Sequence, residues 1–216
     1  LVHWPKKQTP QQKQQWMQLI DYLNHCHHWV INRPKETLSN SSKMLQLNLL
    51  PKHTPLKKPP SLLIANYRMR TTHHQQMIYK SASSVRSIVS HWPDTQPHSI
   101  HEPLLIQQRI HGLNIRAHVI GKHVISIAIK SQAIDYRYCS QQVFQPITLP
   151  KKINDACCAF AKRCQLQFAG IDLIHNGQDY YVLEANPSPG YSFFEQAMPT
   201  PVISQRLIQH LWGKAS

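Results

Sequence analysis

The stretch AGIDLIHNGQDYYVLEANPSPGYSFFE, residues 169–195, holds two carboxylates that its apolar context does not explain. FAGIDLI (168–174) and YYVLEAN (180–186) flank HNGQD and read as the two strands of a hairpin. The whole chain has only 10 Asp and Glu residues, yet Asp172 and Glu184 stand inside these runs. Residues two apart on a strand share a face, so Glu184 and Asn186 present oxygen atoms side by side. Asp172 on the facing strand is a third donor. Three oxygen donors with room for water and phosphate suit Mg²⁺. The spacing also admits structural acids paired with some of the many Arg and Lys side chains.

The turn offers a check on the metal reading. A two-residue Asn176-Gly177 turn would set Asp172 opposite Tyr181, off the face of Glu184. A three-residue loop would set it opposite Val182, and Asp172, Glu184 and Asn186 would then share one face. The metal reading therefore predicts an odd-length loop or a bulge, against the Asn-Gly signal.

Outward from this hairpin, NIRAHVI (114–120) and HVISIAI (123–129) form a strand pair around Gly121-Lys122, glycine first as a type II′ turn requires. PLLIQQRI (103–110), QMIYKS (76–81) and SLLIAN (61–66) read as further strands, with HWPDTQPH (91–98) as a connecting loop. Helices are predicted over 10–25, after the N-cap candidates Ser39 to Ser42, over about 151–165, and over 202–212. In the first of these Trp16, Leu19, Ile20 and Leu23 fall at helical spacing. The apolar WVI (29–31) reads as a short buried strand ending at Asn32-Arg33-Pro34. His27 and His28, adjacent before it, would face opposite ways and make a poor metal pair. Helices interleaved with hairpins, and no evident crossover unit, argue α+β with mostly antiparallel sheets. With 6 glycines and neither GxGxxG nor GxxxxGK[ST], a Rossmann or P-loop site finds no support.

Composition narrows the classes further. At 216 residues and 41% hydrophobic, the chain can bury a core and is not a disordered one. No run approaches the roughly 18 apolar residues of a membrane-spanning helix. The net charge of +14 favours an anionic partner without naming it. Cys26, Cys139, Cys157, Cys158 and Cys164 are odd in number and lack CxxC spacing, which points to a reduced, cytoplasmic compartment. Cys157 and Cys158 read as packing residues of a helix. A chain opening at Leu1 is expected to be a fragment, a processed product or a trimmed one.

At this point four segments, in order, resemble the ATP-grasp superfamily, especially its RimK-type carboxylate–amine ligases. They are VINRP with NSSKMLQL (30–47), MIYKS (77–81), LLIQQRIHGLNIRAHVIG (104–121), and the opening stretch itself. The resemblance implies an ATP-grasp fold, two α+β lobes clasping a nucleotide, here 34–102 and 103–216. Residues 1–33 would be the remnant of a truncated N-terminal domain. It implies that Asp172, Glu184 and Asn186 bind Mg²⁺ or Mn²⁺, and that Lys43 and Lys80 touch ATP phosphates. Gln107, Gln108 and Arg109 match the hinge that reads adenine, and Asn114 stands where an Asp usually meets the ribose. Arg116, Arg137 and Lys130 match cationic positions near the transferring phosphate, and Ser188 to Tyr191 lie on the loop near the acceptor. One departure is SASSVRS (81–87), where relatives have a Gly-rich loop.

The implied activity is ATP-dependent amide formation through an acyl-phosphate, joining a carboxylate donor to an amine acceptor that is a peptide, a protein tail or an amino acid. Relatives that modify ribosomally made peptides look most similar. A homodimer is left open, and no membrane partner is expected. Two other classes compete: a non-catalytic ATP-grasp nucleotide-binding module, and a basic nucleic-acid binder. The scattered basic residues and the lack of an aromatic-basic stacking motif weigh against nucleic acid.

Overall fold

The computed structural model describes residues 9–64, 77–81, 90–91, 103–130 and 142–215. Arg137, Cys139, the small-residue loop beyond Ser81 and the connecting loop beyond His91 lie outside the described residues. The chain runs α1 (Pro10–His25), a 3₁₀ segment (Pro34–Ser41), α2 (Lys43–Asn48), β1 (Leu56–Lys57), β2 (Ser61–Ile64), β3 (Met77–Ser81) and β4 (Ser90–His91). It continues with β5 (Leu104–Gln108), β6 (Leu113–Ile120), β7 (His123–Lys130), β8 (Val143–Ile147) and α3 (Lys151–Arg163). β9 (Phe168–His175), β10 (Tyr180–Asn186), α4 (Ser192–Glu195) and α5 (Val202–Ala215) complete it.

The strands form two sheets, ordered β1-β10-β9-β6-β7-β8 and β2-β5-β3-β4. Among the described residues every pairing is antiparallel except β1 with β10. The expected α+β class with mostly antiparallel sheets is therefore what the chain adopts. The sheets interleave in sequence: the small one takes β5 from the 103–216 stretch, and the large one takes β1 from 34–102. β8 is an element the sequence reading missed. Its Pro146 lacks an amide donor, which only an edge strand such as β8 tolerates.

The large sheet is covered on both faces. On one, Ile115, Ala117 and Val119 of β6 meet Ile153, Cys157 and Phe160 of α3. On the other, Ile120 and Ile127 pack with Phe168, Phe194 and Ile203. The cysteine reading holds for Cys157, which is fully buried in α3, where desolvation pushes its thiol up to about 12. At the β6–β7 turn Gly121 has φ +57°, and a Cβ there would meet the His210 ring at 2.6 Å.

In the N-terminal segment one expectation holds and one needs correction. α1 forms, capped by reciprocal bonds between Thr9 and Gln12, but buries none of its residues. WVI is no strand: Trp29 is 40% exposed, and no neighbouring strand pairs with the segment. Side-chain to backbone bonds hold it instead. The Arg33 guanidinium donates to the carbonyls of Leu23, Cys26 and His28. Asn32, at φ +52°, clamps three segments at once. Its Nδ2 donates to the carbonyls of Phe168 and Pro187, and its Oδ1 accepts from the amides of Gln167 (2.9 Å) and Phe168 (3.2 Å). Asn tolerates the left-handed region better than most residues, and its short amide reaches its own surroundings.

The clamp is testable by two substitutions. Asn32→Gly keeps the backbone freedom and removes only the hydrogen bonds, and is expected to cost about 2 kcal/mol or more. Asn32→Ala should cost roughly 1 kcal/mol beyond that, from left-handed strain. Urea unfolding of both variants checks the order; an Ala variant as stable as the Gly one removes the strain argument.

Candidate active site

The hairpin turns out to have a four-residue loop, His175 facing Tyr180, rather than either loop weighed from sequence. Unbroken, that register would set Asp172 opposite Leu183. A bulge between Val182 and Glu184 shifts it by one, so that Asp172 faces Glu184 and Gly170 faces Asn186. The bulge is the alternative the metal reading required, and it brings the three oxygen donors to one face. It also lets Val182 and Ala185, three residues apart, both enter the α3-side core.

Each carboxylate carries a cation. Arg116 on β6 lies opposite Asp172 and sets Nε 3.1 Å from Asp172 Oδ1. Its Nη1 donates to the Gly170 carbonyl at 3.1 Å, and its guanidinium lies 5.7 Å from the Phe194 ring centre. Gly170 makes room for this: a Cβ there would fall 2.5 Å from Arg116 Nη1 and 2.6 Å from Pro189. Lys43, at the start of α2, reaches Glu184 Oε2 with Nζ at 3.3 Å. Ser42 caps that helix, as the N-cap reading proposed. Gln46 then pins α2 to β10 by donating to the Ala185 carbonyl (2.7 Å) and accepting from its amide (3.1 Å). Gln46 was not singled out in the sequence, although it lies three residues after Lys43 on the same short helix. Asn186 accepts the Ser188 amide at 2.8 Å, which tightens the start of the loop.

The remaining expected residues fall in two places. In the small sheet, buried Lys80 donates to Gln107 Oε1 at 3.1 Å, and Gln107 donates to Ser61 Oγ at 2.8 Å. Gln108 gives its amide to the Pro60 carbonyl, and Arg109 follows β5. In the large sheet Asn114 stands two residues before Arg116 on the same face. Lys130 does not join that face. Ile127 and Ile129 pair with Arg116 and Asn114, so Lys130 sits on the opposite side, exposed at the end of β7. Two carboxylates and an amide, all hard oxygen donors, are chemically suited to Mg²⁺, while the neighbouring cations suit phosphate.

His118, also unforeseen, continues the Arg116 face under this site. It is fully buried, with its ring 6.4 Å from Phe168 and 5.1 Å from Phe194. Desolvation, helped by the Arg116 charge and only partly opposed by the Gly190 backbone, pushes it down to about 3.

This arrangement has relatives. A family model for the RimK-like ATP-grasp domain matches residues 31–211, and the chain belongs to that family. A "Probable alpha-L-glutamate ligase" of Legionella pneumophila (strain Corby) is 32% identical over 123 residues, covering 54% of this chain and 40% of the relative. The chain thus matches less than half the length of that protein. The solved structure of ATP-grasp ligase PsnB with a minimal precursor aligns at TM-score 0.75 and 23% identity, over 94% of this chain and 70% of PsnB. Macrocyclase MdnC from Microcystis aeruginosa MRC, bound with precursor peptide MdnA, aligns at TM-score 0.71 and 19% identity, over 98% and 75%. A RiPP-associated ATP-grasp ligase of Chryseobacterium gregarium, complexed with ADP and a leader and core peptide, gives 0.72 and 17%, over 94% and 69%. At such identities the likeness is one of fold, and the fold is that of the ATP-grasp ligases.

His118 yields a pH prediction. Its folded value lies below the ordinary 6.5, so between pH 6.5 and about 3 the unfolded chain binds a proton that the folded one refuses. Stability is then lost as pH falls through that window. His118→Phe fits the same aromatic surroundings without a titrating group. It is expected to match or exceed the parent at pH 7, and to lose less stability at pH 4.5. Urea midpoints at both pH values test this; equal losses would mean that His118 does not titrate in the window.

Proposed function

We propose that this chain forms the nucleotide-binding and catalytic part of an ATP-dependent carboxylate–amine ligase acting on a peptide, protein or amino-acid substrate. The observation that carries the reading is the β10 bulge, which spends a regular ladder pairing to set Asp172 opposite Glu184, each beside a cation. The division 34–102 and 103–216 is proposed as the two lobes around the nucleotide, with 1–33 as a segment leading into them. The compartment proposed is the cytoplasm; among the described residues no helix is long and apolar enough to cross a membrane.

In this reading Asp172, Glu184 and Asn186 hold Mg²⁺, which when bound neutralises charge on the β- and γ-phosphates. Lys43 exchanges its contact with Glu184 for a phosphate oxygen, and Lys80 takes a second phosphate. Backbone groups of Gln107, Gln108 and Arg109 read adenine, and Asn114 meets the ribose. Arg116 steadies the transferring phosphoryl group, with Arg137 proposed near it. The substrate carboxylate attacks the γ-phosphorus, giving acyl-phosphate and ADP. The amine then attacks the acyl carbon, expelling inorganic phosphate and losing a proton. Positioning and charge neutralisation do most of this work, so no nucleophilic Ser or Cys is required. The names of the peptide-bound ligases among the relatives support a peptide acceptor, and that of the Legionella protein supports an amino-acid one.

Mg²⁺-ATP should raise the melting temperature, by the equivalent of roughly 2.7 kcal/mol at 100 times its dissociation constant, and ATP in chelator far less. Glu184→Gln keeps shape and should keep the fold, while ADP release with substrate falls by about 10²–10³. Melting and turnover measured on one preparation decide the matter. An early-melting variant with normal turnover returns Glu184 to a structural ion pair, and nucleotide binding that never leads to ADP release points to a non-catalytic module. Mass spectrometry of ATP-dependent condensation, using peptides encoded beside the gene, identifies the acceptor.

Lys80→Ala should weaken nucleotide binding more than Lys57→Ala, although each removes one charge. Lys57 is half exposed and pairs with Asp179 at 2.6 Å, on the edge strand of the large sheet, whereas Lys80 belongs to the small one. A charge-assisted contact is worth about 1.5–3 kcal/mol, so titration with a fluorescent ATP analogue should separate the two by tenfold or more. Equal effects would mean that bulk charge, not a site, attracts the nucleotide.

A further inference from the structure

A cavity of about 280 Å³ opens between β7, β8, the start of α3 and the segment after α4. Val124, Ile147, Leu149, Met198 and Val202 supply apolar wall, and no charged side chain lines it. Three polar side chains do: Ser126, Asn154 and the exposed Thr148. Ser126 is 5% exposed, and its hydroxyl has no hydrogen-bond partner among the described residues. The Asn154 amide donates to the Leu149 carbonyl at 3.3 Å, which orients it, and leaves its buried Oδ1 equally without a partner. Folded proteins rarely leave two buried polar oxygens unmatched around one hole, because each costs a desolvation penalty. The cavity is separate from the nucleotide site. Ser126 pairs with Ala117, whereas Arg116 pairs with Ile127, so Ser126 projects from the sheet face turned away from Arg116, Asp172 and Glu184.

We propose that this cavity binds an uncharged, single-ring ligand that carries a hydroxyl group of the phenol or alcohol type. Size sets the ring: an apolar hole of about 150 Å³ is enough for benzene, so this one takes a substituted ring. Polarity sets the hydroxyl. Asn154 Oδ1 can only accept, and Ser126 can donate or accept. A hydroxyl donates to the first and accepts from the second. A carboxylate would bring a charge with nothing to balance it and no proton for Asn154. An ammonium would satisfy Asn154 but bury its charge against hydrocarbon.

The test is a set of amide-resonance titrations of the whole chain with p-cresol, toluene and benzoate. The proposal expects p-cresol to shift the Val124, Ser126, Asn154 and Val202 signals, and to bind at least about fivefold tighter than toluene, the ratio one net hydrogen bond supplies. Benzoate should leave those signals in place. In the Ser126→Ala/Asn154→Leu double variant p-cresol should lose its advantage over toluene, while Mg²⁺-ATP stabilisation stays as in the parent. Because the three-ligand comparison is made on the unaltered protein, it stands even if the variant folds poorly. Equal binding of p-cresol and toluene to the parent overturns the proposal. So do p-cresol shifts confined to other surfaces, a cresol preference that survives the double substitution, or an ordered water on Ser126 and Asn154 that p-cresol fails to displace.

Discussion

One unpaired residue, Leu183, sets the register on which the site depends. Strand residues alternate between faces, so an unbroken β10 could not send Val182 and Ala185 to the same side. Both lie in the core against α3, and Glu184 between them must then face the other way, across from Asp172. The bulge therefore serves packing and site together. Burial of two apolar side chains enforces the geometry that holds two carboxylates in register.

The rest of the site is built outward from that strand pair. Gln46 bonds both the amide and the carbonyl of Ala185, next to the bulge, so the position of α2 follows the position of β10. Lys43, one turn earlier on α2, thereby reaches Glu184. On the opposite flank Arg116 is directed by its pairing with Asp172 and by the open space over Gly170. Pairs of this kind are costly to break in half-buried surroundings, since loss of one partner strands the other charge. The large positive charge of the chain plays no part in this local balance. What counts is that each acid has one cation within 3.3 Å and another oxygen nearby.

Asn32 ties the N-terminal segment to the same centre. Through the Phe168 and Pro187 carbonyls it holds the first residue of β9 and the first residue after β10. The loop that begins at Pro187 carries Pro189 over Gly170 and leads into Phe194, against which both Arg116 and His118 pack. A residue far away in sequence thus fixes the base of the loop that overlies the site.

The sequence alone determined the hairpin strands, the α+β class, the Gly121 turn, a helix capped from within Ser39 to Ser42 and the pairing of Glu184 with Asn186 on one strand face, with Asp172 as a candidate third member. These follow from local rules: alternation, capping, the φ preference of glycine and the cost of a carboxylate in an apolar run. It also posed the right alternative, an odd loop or a bulge, but could not choose. Tertiary packing chose the bulge, because only the core beyond β10 shows that Val182 and Ala185 must point the same way. Lys130 was misplaced from Arg116 for a related reason: the face of a strand is set by its partners' register, which the β7 sequence does not contain. WVI looked like a strand because it is apolar, yet a strand needs a neighbour, and the segment is anchored instead by the adjacent Asn32 and Arg33, whose side chains bond backbone groups of Phe168, Pro187, Leu23, Cys26 and His28. Gln46, Gly170 and His118 escaped notice because their roles lie entirely in contacts between elements, where no local pattern can register them.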